Sequence, residues 1–411
     1  MEQRRVSVPL VPRRPWQGRN VLLGVAGGIA AYKVVQVARD LAQLGATVDV
    51  VLTHSAREFV GAVTFEAVTG RPVHTDLIAQ GAALDHIRLA KAADVICVAP
   101  ATADLLARAA GGRSDDLLTA ILLAAKAPVI LCPAMNDGMW AHAQTQLNAA
   151  HVRDVLGYTL VGPATGPLAF GEGVGAGRMV EPEEIIEHIG RALEQDDVLR
   201  GKRIVVTAGP TREAVDPVRV LSNRSSGRMG YAIASAAWRR GADVVLISGP
   251  ASIELPIGPA IRRIETADDM AGAVRAAIRD ADALIMAAAV ADFKPAAPAA
   301  SKIKKSAGVS AIELEPAPDV LSVTRGDRTD KLRVVGFALE TDAHEANARK
   351  KMLEKGMDIV VLNDATEPGA GFEVSTNKVR IFSKDGASED LPMMSKDEVA
   401  DAILDRLARI L

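Results

Sequence analysis

One pattern is written twice in this chain, and it constrains the fold more than any other feature. GRNVLLGVAGGIAAYKVVQVARDLAQLGATVDVVLT passes from an apolar run (Val21–Val25) through two glycines and a helical pattern to a second apolar run (Val48–Leu52). GKRIVVTAG starts the same series at Gly201, and SSGRMGYAIASAAWRRGADVVLIS completes it. A further echo pairs AADVICVAPATADL (92–105) with DADALIMAAAVADF (280–293). Runs that stay apolar instead of alternating belong to strands covered on both faces, as in parallel sheets. Strands that alternate with helices build βαβ units with right-handed crossovers. The expected fold class is α/β, with two doubly wound, mainly parallel-sheet domains.

The length of 411 residues suits two domains. The expected division is a disordered leader at 1–17, a first domain at 18–192, a charged linker at 193–201 and a second domain at 202–411. SKDEVADAILDRLARIL reads as a closing amphipathic helix. A net charge of −3 gives no pull towards nucleic acid or anionic membrane, and 3% aromatic residues leave little for base stacking. No apolar run reaches membrane-spanning length, and the basic N-terminal tail lacks a signal-peptide core. Cys97 and Cys132 lie inside apolar runs, as reduced buried thiols of a cytoplasmic protein would.

In doubly wound sheets ligands sit beyond the carboxyl ends of the strands. In the first domain those ends are Ala26-Gly27-Gly28, Thr53-His54-Ser55, Pro100-Ala101-Thr102 and Pro133-Ala134-Met135-Asn136. In the second they include Ala208-Gly209-Pro210 and Ala289 to Asp292. GVAGGIAAYK (24–33) is not GxGxxG, and the next strand ends in Thr53, with Asp49 further back. A mononucleotide therefore fits better than a dinucleotide, with Thr53 and Ser55 as hydroxyl donors. A tight packing turn without ligand accounts for these glycines equally well. His86 taken alone fits a solvent-facing helical histidine, and Asn136 taken alone fits a cap. No HxxH, HExxH or CxxC spacing points to zinc. GPATGPLAFGEGVGAGRM (162–179) has six glycines in eighteen residues. It reads either as a phosphate cradle or as a flap.

Together, GVAGGIAAYK, DHIRLAK, APATADLLAR, PAMNDGMW and the closing GxGRM resemble the flavin-dependent cysteine decarboxylases. TAGPTREAVDPVRVLSNRSSGRMG, AAAVADFKP, KIKK and VVGFALET resemble phosphopantothenate–cysteine ligases. Residues 18–411 as a whole resemble the bifunctional decarboxylase/ligase family of coenzyme A biosynthesis. The resemblance implies a flavodoxin-like flavoprotein domain followed by a Rossmann-like ligase domain. It implies FMN at Gly27, Gly28, Thr53, Ser55 and Thr102, His86 as a base in thiol oxidation, and Asn136 on the substrate carboxylate. The glycine-rich stretch becomes a substrate flap. In the ligase half it implies 4'-phosphopantothenate, cysteine and CTP as substrates, joined through an acyl-cytidylate contacted by Asn223. Lys302 would neutralise phosphate charge. Asp292, Pro318, Asp319, Phe337 and the i, i+4 pair Lys351 and Lys355 would hold CTP. Mg2+ is implied without assigned ligands. So is a homo-oligomer of trimeric decarboxylase and dimeric ligase units, a dodecamer.

One position departs from the family pattern. Phe170 stands in the flap where these decarboxylases usually carry a proton-donating cysteine. Three readings follow: the proton comes from solvent or another flap group such as Glu172, the alignment is shifted, or only the oxidative half runs well. Rival functions are a non-catalytic flavin- and nucleotide-binding regulator, a tandem nicotinamide dehydrogenase and a peptide-cysteine decarboxylase.

Overall fold

The computed structural model describes the chain except residues 1–12, 79–82, 305–310, 341–343 and 365–373. The chain divides into two compact units between Glu194 and Gln195, and each is described by itself.

In the first unit six strands form one sheet: β1 (Asn20–Val25), β2 (Thr47–Leu52), β3 (Val73–His74), β4 (Val95–Ala101), β5 (Val129–Pro133) and β6 (Thr159–Leu160). Their order is β3-β2-β1-β4-β5-β6, and every pairing is parallel. The pleat explains the continuous apolar runs. Val21, Leu23 and Val25 point into one core with Val95, Cys97 and Ala99, while Leu22 points into a second core with Ile96 and Val98. Helices cover both faces. Ala31–Gln43 buries Ala31, Val34, Ala38 and Leu41 at helical spacing. Leu117–Ala124 is almost wholly apolar and starts at an Asp116/Thr119 capping box. Each fully buried aliphatic side chain here contributes about 1.5–3 kcal/mol relative to exposure. A separate hairpin, β7 (Ala164–Pro167) with β8 (Val174–Arg178), is antiparallel.

The second unit repeats the plan and extends it. Its main strands are β9 (Arg203–Ala208), β12 (Asp243–Ser248), β13 (Ala260–Arg263), β14 (Ala283–Met286), β17 (Arg333–Glu340), β18 (Ile359–Asp364), β20 (Val379–Ser383) and β21 (Ser388–Asp390). The order is β13-β12-β9-β14-β17-β18-β20-β21. Counted along the chain, the first six of these strands take the same places as the six strands of the first unit. β20 and β21 then add antiparallel to the far edge. Three small antiparallel pairs lie outside this sheet: β10 (Arg212–Ala214) with β11 (Val220–Ser222), β15 (Phe293–Pro295) with β16 (Leu314–Pro316), and β19 (Thr376–Asn377) with β22 (Met394–Ser395). The closing helix is Lys396–Ala408, and it buries Val399, Ala400, Ile403, Leu404 and Leu407.

In both sheets the order reverses beside the first strand, between β1 and β4 and between β9 and β14. That crevice is where doubly wound sheets bind ligands. The first unit is doubly wound, as a flavodoxin-like domain is, with its strands in the six-stranded order also used by dinucleotide folds.

Two expected boundaries need correction. The leader does not extend to residue 17, because Trp16 is 3% exposed and packs in the first core. Its Nε1 donates to Glu194 Oε1 at 2.8 Å. Residues 1–12 lie outside the described chain. The stretch 193–201 is not a free linker either. Leu193 ends a helix in the first core, and Leu199 is buried in the second. Cys97 and Cys132 are both free and buried, as expected. Burial and a hydrogen bond between the pair push the Cys132 thiol up, the bond being the larger cause.

Candidate functional site

In the first unit the topology gathers residues at one edge of the sheet. β2, β1, β4 and β5 are neighbours, and their carboxyl ends carry Thr53, Gly27-Gly28, Thr102 and Asn136. Gly27 is there because a Cβ would lie 2.5 Å from Ser55 Oγ. The turn after β1 thus presses against the turn after β2. Thr53 is buried, and its Oγ1 accepts from Ala56 N at 3.2 Å. It also lies 3.4 Å from Ser55 Oγ. Thr102 caps helix Ala103–Ala110 by accepting from Leu105 N at 3.2 Å, which leaves its hydroxyl proton to donate. Helix Ala31–Gln43 begins after Gly28 without a side-chain cap, and within this turn Ala31 N donates to Gly28 O at 3.0 Å and Lys33 N to Ala30 O at 3.1 Å.

His86 sits in the first turn of helix Asp85–Ala92, which ends just before β4 begins. The helix therefore runs against the strand, and its start lies towards the same ligand edge. The side chain is half-buried, and its Nδ1 is a buried atom without a hydrogen-bond partner. Burying such a nitrogen unpaired costs about 1–3 kcal/mol, which marks it as more than a solvent-facing helical histidine. Next to it Asp85 is held below the usual carboxylate range, first by Arg88 and then by His74.

Asn136 caps helix Asp137–Ala141, with Oδ1 accepting from Gly138 N at 2.8 Å. The glycine-rich stretch closes on this turn. A Cβ at Gly177 would lie 2.3 Å from Met135 O, and one at Gly175 2.6 Å from Asp137 Cβ. Met135 N donates to Gly177 O at 2.9 Å. Gly177 therefore admits backbone against backbone, and Gly175 makes room for the Asp137 side chain. The base of the hairpin is tied by Glu181 to Lys33 at 2.8 Å and to Arg178. Lys33 first, with Arg178, holds the Glu181 carboxyl below its usual range. The tip is free of such ties: Phe170 is 109% exposed, and Gly171 and Gly173 turn with φ of +84° and +79°.

The second unit has a cavity of about 630 Å³ at its switch point. Asn223, Asp292, Pro318, Asp319, Phe337, Lys351 and Lys355 all line it, as the sequence reading grouped them. Asn223 Nδ2 donates to Val290 O at 2.9 Å and to Ala289 O at 3.3 Å. Its amide braces the strand-end peptides in this structure, so donation to a ligand requires exchanging those bonds. Lys355 Nζ lies 2.7 Å from Asp319 Oδ2. Burial raises the Asp319 carboxyl, but Lys355 and backbone N–H donors outweigh it, and the net shift is downward.

Lys302 is the exception. It is exposed and does not line the cavity. Its segment is strapped to the β10–β11 hairpin instead. Ile303 N donates to Asp216 Oδ2 at 3.1 Å, and an Arg219 N–H donates to Ile303 O at 3.2 Å. Among the described residues no group of three or more His, Cys, Asp or Glu side chains is placed to hold a metal ion. No described helix is long and apolar enough to cross a membrane.

The family model for flavoproteins matches residues 11–194, and that for the DNA/pantothenate metabolism flavoprotein C-terminal domain matches 199–411. Coenzyme A biosynthesis bifunctional protein CoaBC from Vibrio cholerae is 44% identical over 94% of this chain and 97% of its own. Its namesake from Mycobacterium tuberculosis is 46% identical over 96% and 97%. The chain belongs to the CoaBC family. It is an enzyme of coenzyme A biosynthesis with both the decarboxylase and the ligase parts of that family. A solved structure of a CoaBC C-terminal domain is 40% identical over 52% of this chain and 98% of its own, with a TM-score of 0.45.

Sequence reasoning overlooked part of the cavity. Arg228, Asn363, Asn377 and Lys396 also line it. One signal was present. Lys396 follows a Ser395-x-x-Glu398 capping box, so it stands in the first turn of a helix, where a cation is disfavoured.

Proposed function

We propose that the second unit ligates 4'-phosphopantothenate to cysteine with CTP, through an acyl-cytidylate. The first unit then decarboxylates 4'-phospho-N-pantothenoylcysteine to 4'-phosphopantetheine with FMN. The observation that carries this reading is likeness to bifunctional CoaBC proteins along nearly the whole chain, joined to a ligand crevice at the same point of each sheet.

The residues at the first crevice fit FMN. Gly27 and Gly28 open a helix start, Thr53, Ser55 and Thr102 bring hydroxyls, and His86 brings a buried nitrogen that lacks a partner. When bound, FMN supplies the two-electron chemistry that prepares the substrate thiol's carbon skeleton to release carbon dioxide. The side chains handle protons and position. His86 accepts the proton of the substrate thiol. Asn136, its Oδ1 held by Gly138, directs its NH2 donors at the substrate carboxylate. The β7–β8 hairpin excludes water from above. Phe170 has no proton to give, so solvent or the exposed Glu172 protonates the product.

In the second crevice Lys351 and Lys355 meet the triphosphate, and Phe337, Pro318 and Asp319 border the base. Asn223 supports the carbonyl wall on which the acyl-cytidylate rests. Lys302 arrives on its strap and does not belong to the cavity wall. Mg2+ enters with the nucleotide, held mainly by phosphate oxygens and water. The protein acts in the cytoplasm as a homo-oligomer of trimeric decarboxylase and dimeric ligase units, a dodecamer. Exposed apolar residues such as Ile29, Tyr32, Val63 and Leu147 support an interface on the first unit.

The test separates the halves. FMN-loaded protein given phosphopantothenoylcysteine should yield 4'-phosphopantetheine, with the flavin returned to its oxidised colour. Accumulated dehydro-product with bleached flavin would contradict full turnover. Glu172→Gln should slow only the final protonation, and an unchanged rate assigns that proton to solvent. In the ligase half, 4'-phosphopantothenate and CTP should release pyrophosphate, and cysteine should then release CMP.

A further inference from the structure

Two walls of the second unit's cavity are joined by one arginine. One wall is the turn Ala317-Pro318-Asp319, which opens the short helix Val320–Val323. The other is helix His344–Lys355, which carries Lys351 and Lys355. Arg328 does not line the cavity, yet it holds both walls. Its Nη2 donates to Leu321 O in the short helix. Its Nη1 donates to Lys355 O at 2.8 Å and to Gly356 O at 3.1 Å, at the end of the longer one. Arg325 adds a second grip there, with Nη1 donating to Glu354 O at 2.8 Å. A helix leaves its last carbonyls unpaired and partly negative, so cations are favoured at that end.

The short helix is a fixed bracket. Val320 and Leu321 are buried in one core with Met270 and Val274 of helix Ala267–Ala277. Arg275 of that helix donates to Val323 O at 3.1 Å and to Asp327 Oδ2 at 2.9 Å. Helix His344–Lys355 has less apolar anchorage: among its described side chains, Ala348 and Met352 are the buried apolar ones. Its place beside the bracket depends on polar ties. One of these is the ion pair from Lys355 Nζ to Asp319 Oδ2 at 2.7 Å, between two residues that line the cavity. A triphosphate that draws the Lys355 ammonium removes that tie. The Arg328 bridge runs through backbone carbonyls and survives. Arg328 Nε is buried without a hydrogen-bond partner, so the side chain keeps this place through the bonds of its other two nitrogens.

We propose that Arg328 is a positioning residue for the nucleotide: its fork fixes the spacing of the Pro318-Asp319 turn and the Lys351/Lys355 helix while the triphosphate draws Lys355 off Asp319. The proposal rests on the reading that this cavity binds CTP. Without Arg328 the free protein keeps the Lys355–Asp319 tie, whereas the nucleotide complex loses both links. The loss therefore falls on the complex, because a site that must be assembled binds less tightly than a preformed one. Attack by cysteine follows once the nucleotide is seated. The effect belongs to the KM for CTP and not to kcat.

The measurement is the initial rate of pyrophosphate release by the full-length, FMN-loaded protein with 4'-phosphopantothenate, cysteine and Mg2+. CTP is varied in one arm and cysteine in the other. Arg328→Met should raise the KM for CTP about tenfold, the worth of a hydrogen bond to a charged group. The kcat and the KM for cysteine should stay within about twofold. Arg328→Lys keeps the charge but not the planar fork, and should recover only part of the loss. Thermal melts check that both variants fold. If the methionine variant does not fold, the lysine variant decides: a raised KM for CTP supports the proposal and an unchanged one overturns it. A fall in kcat larger than the rise in the KM for CTP makes Arg328 a stabiliser of the fold. Full recovery in Arg328→Lys makes its charge, not its bridge, the cause. Either result overturns the proposal and leaves the ligase reading intact. Absence of pyrophosphate release by the unaltered protein overturns the ligase reading, and the proposal with it.

Discussion

His86 and Lys355 bear on separate halves of the chemistry, so single substitutions should separate the activities. His86→Asn is expected to lower decarboxylation by about 10²–10⁴-fold, the usual worth of a proton-transfer group. Bound flavin, read from absorbance, should stay near stoichiometric, and pyrophosphate release should not change. Flavin loss at equal protein stability would instead make His86 a binding residue. Lys355→Met should raise the KM for CTP while leaving decarboxylation of supplied substrate intact. Because Asp319 loses its partner in that variant, Asp319→Asn in the same background should recover part of the affinity. At this scale the sequence was partly legible. Asn223, Asp292 and Phe337 belong to recognisable runs, and the cavity gathers them. Lys396 left one weak signal, a cation in the first turn of a helix, and a lysine after a capping serine otherwise reads as a solvent residue. It is buried where its helix packs against helix Arg228–Arg239 and beside β19 and β22.

The elements around each site are held by a close glycine contact in the first unit and by a buried carboxylate in the second. Gly177→Ala would force a Cβ to within 2.3 Å of Met135 O, so β8 or the Asn136 turn has to move. The expected result is loss of decarboxylation with retained ligation, and a lower melting temperature for the first unit. The Lys302 segment depends on Asp216, which is 2% exposed and accepts from Ile303 N, Val218 N and Arg219 N. Asp216→Ala should release the strap, seen as faster hydrogen exchange at Ile303 and slower ligation. Asp216→Asn keeps an acceptor and should do less. If exchange at Ile303 is unchanged in the alanine variant, Asp216 does not anchor the strap. The main strands were legible because both faces are covered, which keeps runs such as Val95–Ala101 apolar throughout. The small pairs were not. β11 is exposed along its whole length, and β10 and β15 have three residues each, too few to show a period. The flap's glycines gave the opposite difficulty, since their number pointed to phosphate while Gly177 presses on the Met135–Asp137 backbone and Gly175 on the Asp137 side chain.

The whole molecule is two units, each with its own pair of cores, one on either face of its sheet. Separate cores predict separate cooperative transitions on heating. FMN should raise one of them and CTP the other, because each ligand stabilises only the unit that binds it. A single transition raised by either ligand would show that the units unfold together. The repeated strand order was foreshadowed by the repeated strand–glycine–helix pattern. The true ends of the units were not, because Trp16 sits in a basic tail and Leu199 in a charged stretch, and only their burial shows where they belong. The central claim is that one chain runs both steps in succession. The direct measurement supplies 4'-phosphopantothenate, cysteine, CTP and Mg2+ to the FMN-loaded protein and follows pyrophosphate, carbon dioxide and both intermediates. Pyrophosphate and carbon dioxide should appear in equal amounts, carbon dioxide after a lag, with 4'-phosphopantetheine as the end product. A protein that binds flavin and CTP but releases neither pyrophosphate nor carbon dioxide would contradict it.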